Sequence, residues 1–380
     1  MSVFPRVPKC SPLSIRSWRS PNSAACITLG WLCVAAGEGL AQDHSYYFYH
    51  GRTFGSEATF SPAVKLLQGG FYILDNDNRS NNPFIVPYEN GLNNVLRNLV
   101  QPFSTIHEYG WIRFLTTEIL PNPSRRTAQW VPNYFGHILG EGMTFRATEE
   151  WFRFHGSRHP TRLALVTTLL ESLLNEAVEN GDYRGSNVDP IADLYLFNPL
   201  GILLFRSDKV ARFFSGTLHM AYWPRQLMLD PRSGTLEDVG HDFIFKYPVT
   251  RGGRLGLFAS YGTHSLAGLS IQRSSHALSV GIGAMAKELV DAAPGLPSRS
   301  LTARIVPALG VFYDRDNSLL FSFVIAPRKD DVVSVNVYPG VLQLKDSSLG
   351  LFLAAGGTRR VSLGVNFQGV PLGLATHFGR

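Results

Sequence analysis

The sequence predicts an α+β chain: a helical module followed by an antiparallel, transmembrane β-barrel of about ten strands. Three observations carry that reading. Residues 241–380 form short alternating segments, one face aliphatic or aromatic and the other Gly, Ser, Ala or Asn. Turn-like separators such as Arg251-Gly252-Gly253 and Asp314-Arg315-Asp316-Asn317 divide them. Between Tyr88 and Trp223 the apolar period is that of a helix.

The alternation is clearest where Val361, Leu363, Val365 and Phe367 oppose Ser362, Gly364, Asn366 and Gln368. Leu278, Val280, Ile282 and Ala284 oppose Ala277, Ser279, Gly281 and Gly283 in the same way. A soluble sheet pairs apolar residues inside with charged ones outside, whereas a lipid-facing barrel points its apolar residues outward and its small or polar ones into the lumen.

Residues 1–41 have the three parts of a secretory signal: basic Arg6, Lys9, Arg16 and Arg19, an apolar run from Ala24 to Ala36, and a small-residue exit at Gly39-Leu40-Ala41. Cleavage after Ala41 is expected. Cys10, Cys26 and Cys33 all lie in that leader, so the exported chain would have neither disulfides nor cysteine ligands. Half of the formal charge of +6 also resides there, and no basic run with interleaved aromatics follows, which argues against nucleic acid as a partner.

Residues 42–87 are aromatic and Gly-rich and are expected to supply one or two strands. They end in a polar cluster, Asp75 to Pro83, whose Asp75 and Asp77 match the first spacings of a calcium loop; the Gly and the distal Glu of that loop are missing, which leaves a solvated turn. The helical module, 88–240, is expected to hold helices at about 90–101, 111–120, 130–155, 161–180, 189–205 and 208–221. In the clearest, Pro160 precedes a stripe of Leu163, Val166, Leu170, Leu173, Leu174 and Ala177, and Gly181 stops it. None offers eighteen uninterrupted apolar residues, so the module is expected to pack on the periplasmic side or to plug the lumen.

The barrel domain, 241–380, is expected to hold strands at about 241–249, 254–262, 265–272, 276–287, 301–314, 318–326, 331–338, 349–356, 360–368 and 371–378. The last carries Leu372, Leu374, Thr376 and Phe378 on one face and resembles the C-terminal strand signal of bacterial outer-membrane proteins, although Gly379 and Arg380 follow the aromatic. No Trp follows Trp223, which leaves an interfacial girdle to residues such as Tyr313 and Tyr338.

Candidate chemistry concentrates in the helical module. Asn133, His137 and Glu141 recur every four residues, as do Glu171, Asn175 and Glu179, and after them Asp189 and Asp193; Asn198 follows. His137 with Glu141, Glu171 or Asp189 could serve as metal ligands or as an acid/base pair. Without an HExxH or HxH spacing the favoured reading is a buried polar network, Ser186 included, with no metal and no cofactor. A hydrolase acting on lipid would need Ser and His on one face; Ser274 and His276, two apart, are the candidates, while His264 and Ser265 are adjacent and point to opposite faces.

From His137 to Gly201 the chain resembles the E, then S-x-x-D, then N-x-x-G signature of uncharacterised bacterial cell-envelope proteins, with Glu179, Ser186, Asp189, Asn198 and Gly201 at the matching positions. That resemblance implies an envelope location and no particular reaction. The expectation is therefore a structural or transport-related barrel of the bacterial outer membrane, more an envelope component than an enzyme, with membrane lipid and other envelope proteins as partners. The alternatives are an outer-membrane lipid-modifying hydrolase and a soluble periplasmic binding module.

Overall fold

The chain is described by a computed structural model over residues 45–76, 80–124, 129–291, 301–328, 331–345, 347–356 and 360–379. The leader expected at 1–41 lies outside these residues, as does Asp77 of the polar turn.

The segment expected to supply strands near the N-terminus instead forms helices α1 (Gly55–Thr59) and α2 (Pro62–Asn76). The reason lies in its glycines. A Cβ on Gly69 would sit 1.7 Å from Oε1 of Glu171, and one on Gly70 would sit 2.5 Å from Cδ2 of Leu174. These glycines let α2 lie closely against α7 (Pro160–Glu179), so they serve helix packing rather than a turn.

The other helices are α3 (Tyr88–Val100), α4 (Pro102–Tyr109), α5 (Trp111–Phe114), α6 (Gly142–Phe154), α8 (Asp189–Ala192), α9 (Asn198–Phe205) and α10 (Asp208–Arg212). Four wide π-type stretches extend or join them: Leu115–Ile119, Pro132–Glu141, Asp193–Phe197 and Phe213–Thr217. The Leu120 N–H donates to the Leu115 carbonyl five residues back at 2.7 Å, the mark of such a turn. Helix α4 was not expected; Pro102 begins it and Gly110, at φ +98°, ends it. Among the described residues no helix is long and apolar enough to cross a membrane.

The sheet comprises β1 (Ala221–Pro224), β2 (Met228–Asp230), β3 (Thr235–Glu237), β4 (His241–Pro248), β5 (Leu255–Gly262), β6 (His264–Arg273), β7 (His276–Asp291), β8 (Leu301–Arg315), β9 (Ser318–Ile325), β10 (Val333–Leu344), β11 (Ser347–Ala355), β12 (Val361–Phe367) and β13 (Gly373–Phe378). All ten expected strands are present, and β1 to β3 precede them inside the stretch assigned to the helical module. The order is β1-β4-β5-β6-β7-β8-β9-β10-β11-β12-β13-β2-β3, antiparallel except for the parallel pair β13–β2. The fold is thus α+β, with the expectation of about ten strands in an antiparallel ring corrected to thirteen in a sheet whose ladder has two ends, β1 and β3.

The strands at those two ends come from neighbouring stretches of the chain. Pro224 faces His241 in the β1–β4 pair and Met228 faces Glu237 in the β2–β3 pair, so the two pairs keep one register. Between them the Arg225 N–H donates to the Gly240 carbonyl at 2.9 Å. Residues 221–230 and 235–248 therefore make one long hairpin, interrupted at its middle, with one arm paired to β5 and the other to β13. Gln68 of α2, fully buried, fills the interruption: its Nε2 donates to the Arg225 carbonyl at 2.6 Å and its Oε1 accepts from the Gly240 N–H at 2.7 Å.

Burial alternates along the strands as the sequence suggests, with the small and polar residues inside. Ser279, Ser362 and Asn366 are buried, whereas Ile282 is 66 % exposed and Leu269 and Leu257 are each 52 % exposed. Among the described residues no protein layer covers the apolar face. The inward face mixes Trp223, Phe258, Phe312 and Tyr338 with a buried ion pair between Lys246 and Asp314 at 2.7 Å.

Candidate functional site

Carboxylates gather where three of the four π-type stretches meet α7 and the start of α8. Glu118 comes from Leu115–Ile119, His137 from Pro132–Glu141 and Asp193 from Asp193–Phe197. Helix α7 adds Glu176 and Glu179, and α8 opens with Asp189, whose N–H is capped by the Asn187 side-chain oxygen at 3.2 Å. A π-type turn carries more residues than an α turn, so each stretch displaces one side chain from the regular helical stripe. Glu176, Asp189 and Asp193 each offer a ligand atom, and these atoms lie within 4.8 Å of one another.

The local electrostatics follow from burial and like charge. Burial pushes the Glu118 carboxyl up to about 8, and Asp189 adds to the effect. Burial, and then Asp189, hold the carboxyls of Asp193 and Glu176 well above the usual carboxylate range. Oδ1 of Asp193 and Oε2 of Glu118 are buried without a hydrogen-bond partner. Its other oxygen places Asp193 3.1 Å from Nε2 of His137.

A directed relay orients that imidazole. The Ser172 hydroxyl donates to the Thr168 carbonyl at 2.9 Å and accepts from the Asn198 amide at 3.1 Å, which turns the Asn198 carbonyl oxygen toward Nδ1 of His137 at 2.8 Å. Nδ1 is then the donor and Nε2, facing Asp193, carries the lone pair in the neutral ring. Gly201 explains the spacing from Asn198: a Cβ there would lie 2.5 Å from the Ile138 carbonyl, so only Gly lets α9 approach the backbone beside His137.

The four-residue repeat Asn133, His137, Glu141 does not form one site, because its members meet different elements. Asn133 donates to the Glu118 carbonyl at 2.9 Å, and Glu141 turns to Lys65 at 2.6 Å. Lys65 of α2 is fully buried and also pairs with Glu171, which burial and then Glu141 push up to about 8. Asn175 donates to the Gly69 carbonyl at 2.9 Å beside this pair, and Ser186 donates to Glu108 outside both clusters. The expected network thus divides into an acidic centre and a lysine-centred one.

The Ser274 and His276 candidates sit at the β6–β7 hairpin, with Ser274 in the turn at φ 55°. Nδ1 of His276 lies 2.9 Å from the Tyr313 hydroxyl, on which its ring stacks, so its partner is a cross-strand tyrosine. His264 is buried against Asp242 at 2.9 Å, while Ser265 points to the outer face.

Sequence reading missed Lys65, Glu118 and Glu176. Lys65 lay in a segment read as strand, and Glu176 lies off the Glu171–Asn175–Glu179 repeat. Glu118 stood as the one acid in a run of apolar and Thr residues, which is itself a signal. No protein-family model, no curated protein and no solved structure matches this chain.

Proposed function

We propose that this chain is a β-barrel of the bacterial outer membrane with a filled lumen, acting as an anchor that holds the helical module at the membrane. The observation that carries this reading is the inverted burial of the strands: Leu278, Val280, Ile282, Leu363 and Val365 face outward, uncovered by any described residue, and Ser279, Ser362 and Asn366 face inward. Water would leave this apolar band unpartnered, whereas hydrocarbon satisfies it.

The hairpin of 221–230 with 235–248 supports closure, since its arms reach β5 on one side and β13 on the other. A ring so sealed has eleven strands, and an up-and-down ring with an odd count requires one parallel pair, the role of β13–β2. Eleven departs from the even number usual in bacterial single-chain barrels. Strands β7 and β8, with 16 and 15 residues, exceed the roughly 9–11 needed for a tilted crossing, whereas β9 and β12, with 8 and 7, fall short of it.

A filled interior favours an anchor over a pore. Trp223 donates from its ring nitrogen to the Asn317 carbonyl at 2.8 Å, and Tyr338 donates to the Pro224 carbonyl at 3.0 Å, so the bulky inward side chains are fixed by hydrogen bonds. The expected behaviour is recovery in the outer-membrane fraction, gel migration that changes on boiling, and no solute flux in liposome swelling. A freely soluble chain would overturn the location, and size-limited flux would overturn the anchor in favour of transport.

A further inference from the structure

We propose that Asp193, Glu176 and Asp189, with His137 beside them, form a binding site for one divalent transition-metal ion of the zinc or manganese class. The three carboxylates supply ligand atoms within 4.8 Å of one another. An acidic cluster alone would not suffice. Here Asp193, 4 % exposed, has an oxygen with no hydrogen-bond partner, and Glu118, 3 % exposed and felt electrostatically by Asp193, has another.

The second support is the imidazole. The relay from Thr168 through Ser172 and Asn198 spends the Nδ1 proton and leaves the Nε2 lone pair facing the Asp193 carboxylate at 3.1 Å. The imidazole nitrogen is not one of the three atoms within 4.8 Å of one another, so it flanks the carboxylate set on its Asp193 side. Asn198 would hold the ring as outer partners of metal-bound histidines do. Three carboxylates and one imidazole select for zinc or manganese over thiolate-seeking metals, and the imidazole disfavours calcium and magnesium. His137, with its side chain 31 % exposed, leaves a route from solvent.

This inference concerns the helical module and stands apart from the barrel reading. The test uses the full chain in detergent, stripped with a chelator and titrated with Zn²⁺, Mn²⁺, Ca²⁺ and Mg²⁺ by calorimetry. Zn²⁺ or Mn²⁺ should bind at one ion per chain and, at a hundredfold excess over Kd, raise Tm by about 5 °C. D193N should weaken binding at least tenfold, and H137Q should weaken Zn²⁺ more than Ca²⁺. Without metal, D193N should melt no lower than the parent chain, because it removes one of several crowded carboxylates. Absence of saturable Zn²⁺ or Mn²⁺ binding, equal binding by D193N, or a metal-free D193N that melts lower would each overturn the site.

Discussion

Replacing Lys65 by Met is expected to destabilise the helical module by about 3–5 kcal/mol, the range for breaking a buried ion pair by removing one partner. Met preserves most of the volume, so the loss comes from charge. Lys65 is the shared cation of Glu141 and Glu171, and although burial pulls its pKa down, the two glutamates more than offset that and hold the ammonium protonated. Without it two carboxylates face one another in a site that water does not reach. The double change K65M with E171Q should recover much of the loss, because one of those charges is then absent.

The pH dependence has a definite sign. A carboxyl whose folded pKa lies above its unfolded value takes up a proton on folding, so its stability cost grows as pH rises from the unfolded pKa to the folded one. For Glu171 that window runs from 4.5 to about 8. Loss of Lys65 raises the Glu171 carboxyl further, so the K65M loss should stay level within that window and grow as pH rises above about 8, as followed by thermal melts of far-UV circular dichroism. A loss independent of pH would mean that Lys65 acts through packing alone.

The second large effect is expected on the outer face of the sheet. Arg in place of Ile282, which is 66 % exposed and central in β7, should cost about 2–4 kcal/mol in lipid and impair membrane insertion. On a water-facing sheet the same change would stay within about 0.5 kcal/mol. S274R in the β6–β7 turn is the control, since that position lies at the end of the hairpin, and it should be neutral. Urea unfolding of the refolded chain in lipid vesicles distinguishes these outcomes, and an I282R chain as stable as its S274R counterpart would place the band in water.

The strands from residue 241 onward were legible because period-two alternation in Leu, Val, Ile and Phe is repeated many times with turn residues between. Strands β1 to β3 were hidden for the opposite reason: at three or four residues each they are too short to show a period. Their role in joining β5 to β13 depends on a register that only pairing reveals. Helices α1 and α2 were hidden because Gly69 and Gly70 look like turn residues until Glu171 and Leu174 are seen against them.

The polar site was half legible. His137, Asp189, Asp193 and Asn198 were named from spacing and do converge. Their grouping with Glu141 and Glu171 rested on α-helical geometry, and the π-type stretch Pro132–Glu141 redirects Glu141 to Lys65 instead. Glu118 and Glu176 entered from other elements, where no periodicity links them to His137. Gly201, noted as part of a signature, has a clear purpose once α9 is placed against Ile138.

On the proposed reading, outward-facing aliphatic residues on the strands meet hydrocarbon, and site-directed spin labelling addresses that point directly. The three cysteines, Cys10, Cys26 and Cys33, would be changed to Ser, and a nitroxide placed in turn at Ile282, Leu363 and Ser274 of the chain in lipid vesicles. At Ile282 and Leu363 relaxation should be enhanced by dissolved oxygen and hardly at all by a water-soluble nickel complex, with the reverse at Ser274. Strong nickel access at Ile282 and Leu363 would contradict a lipid-facing sheet.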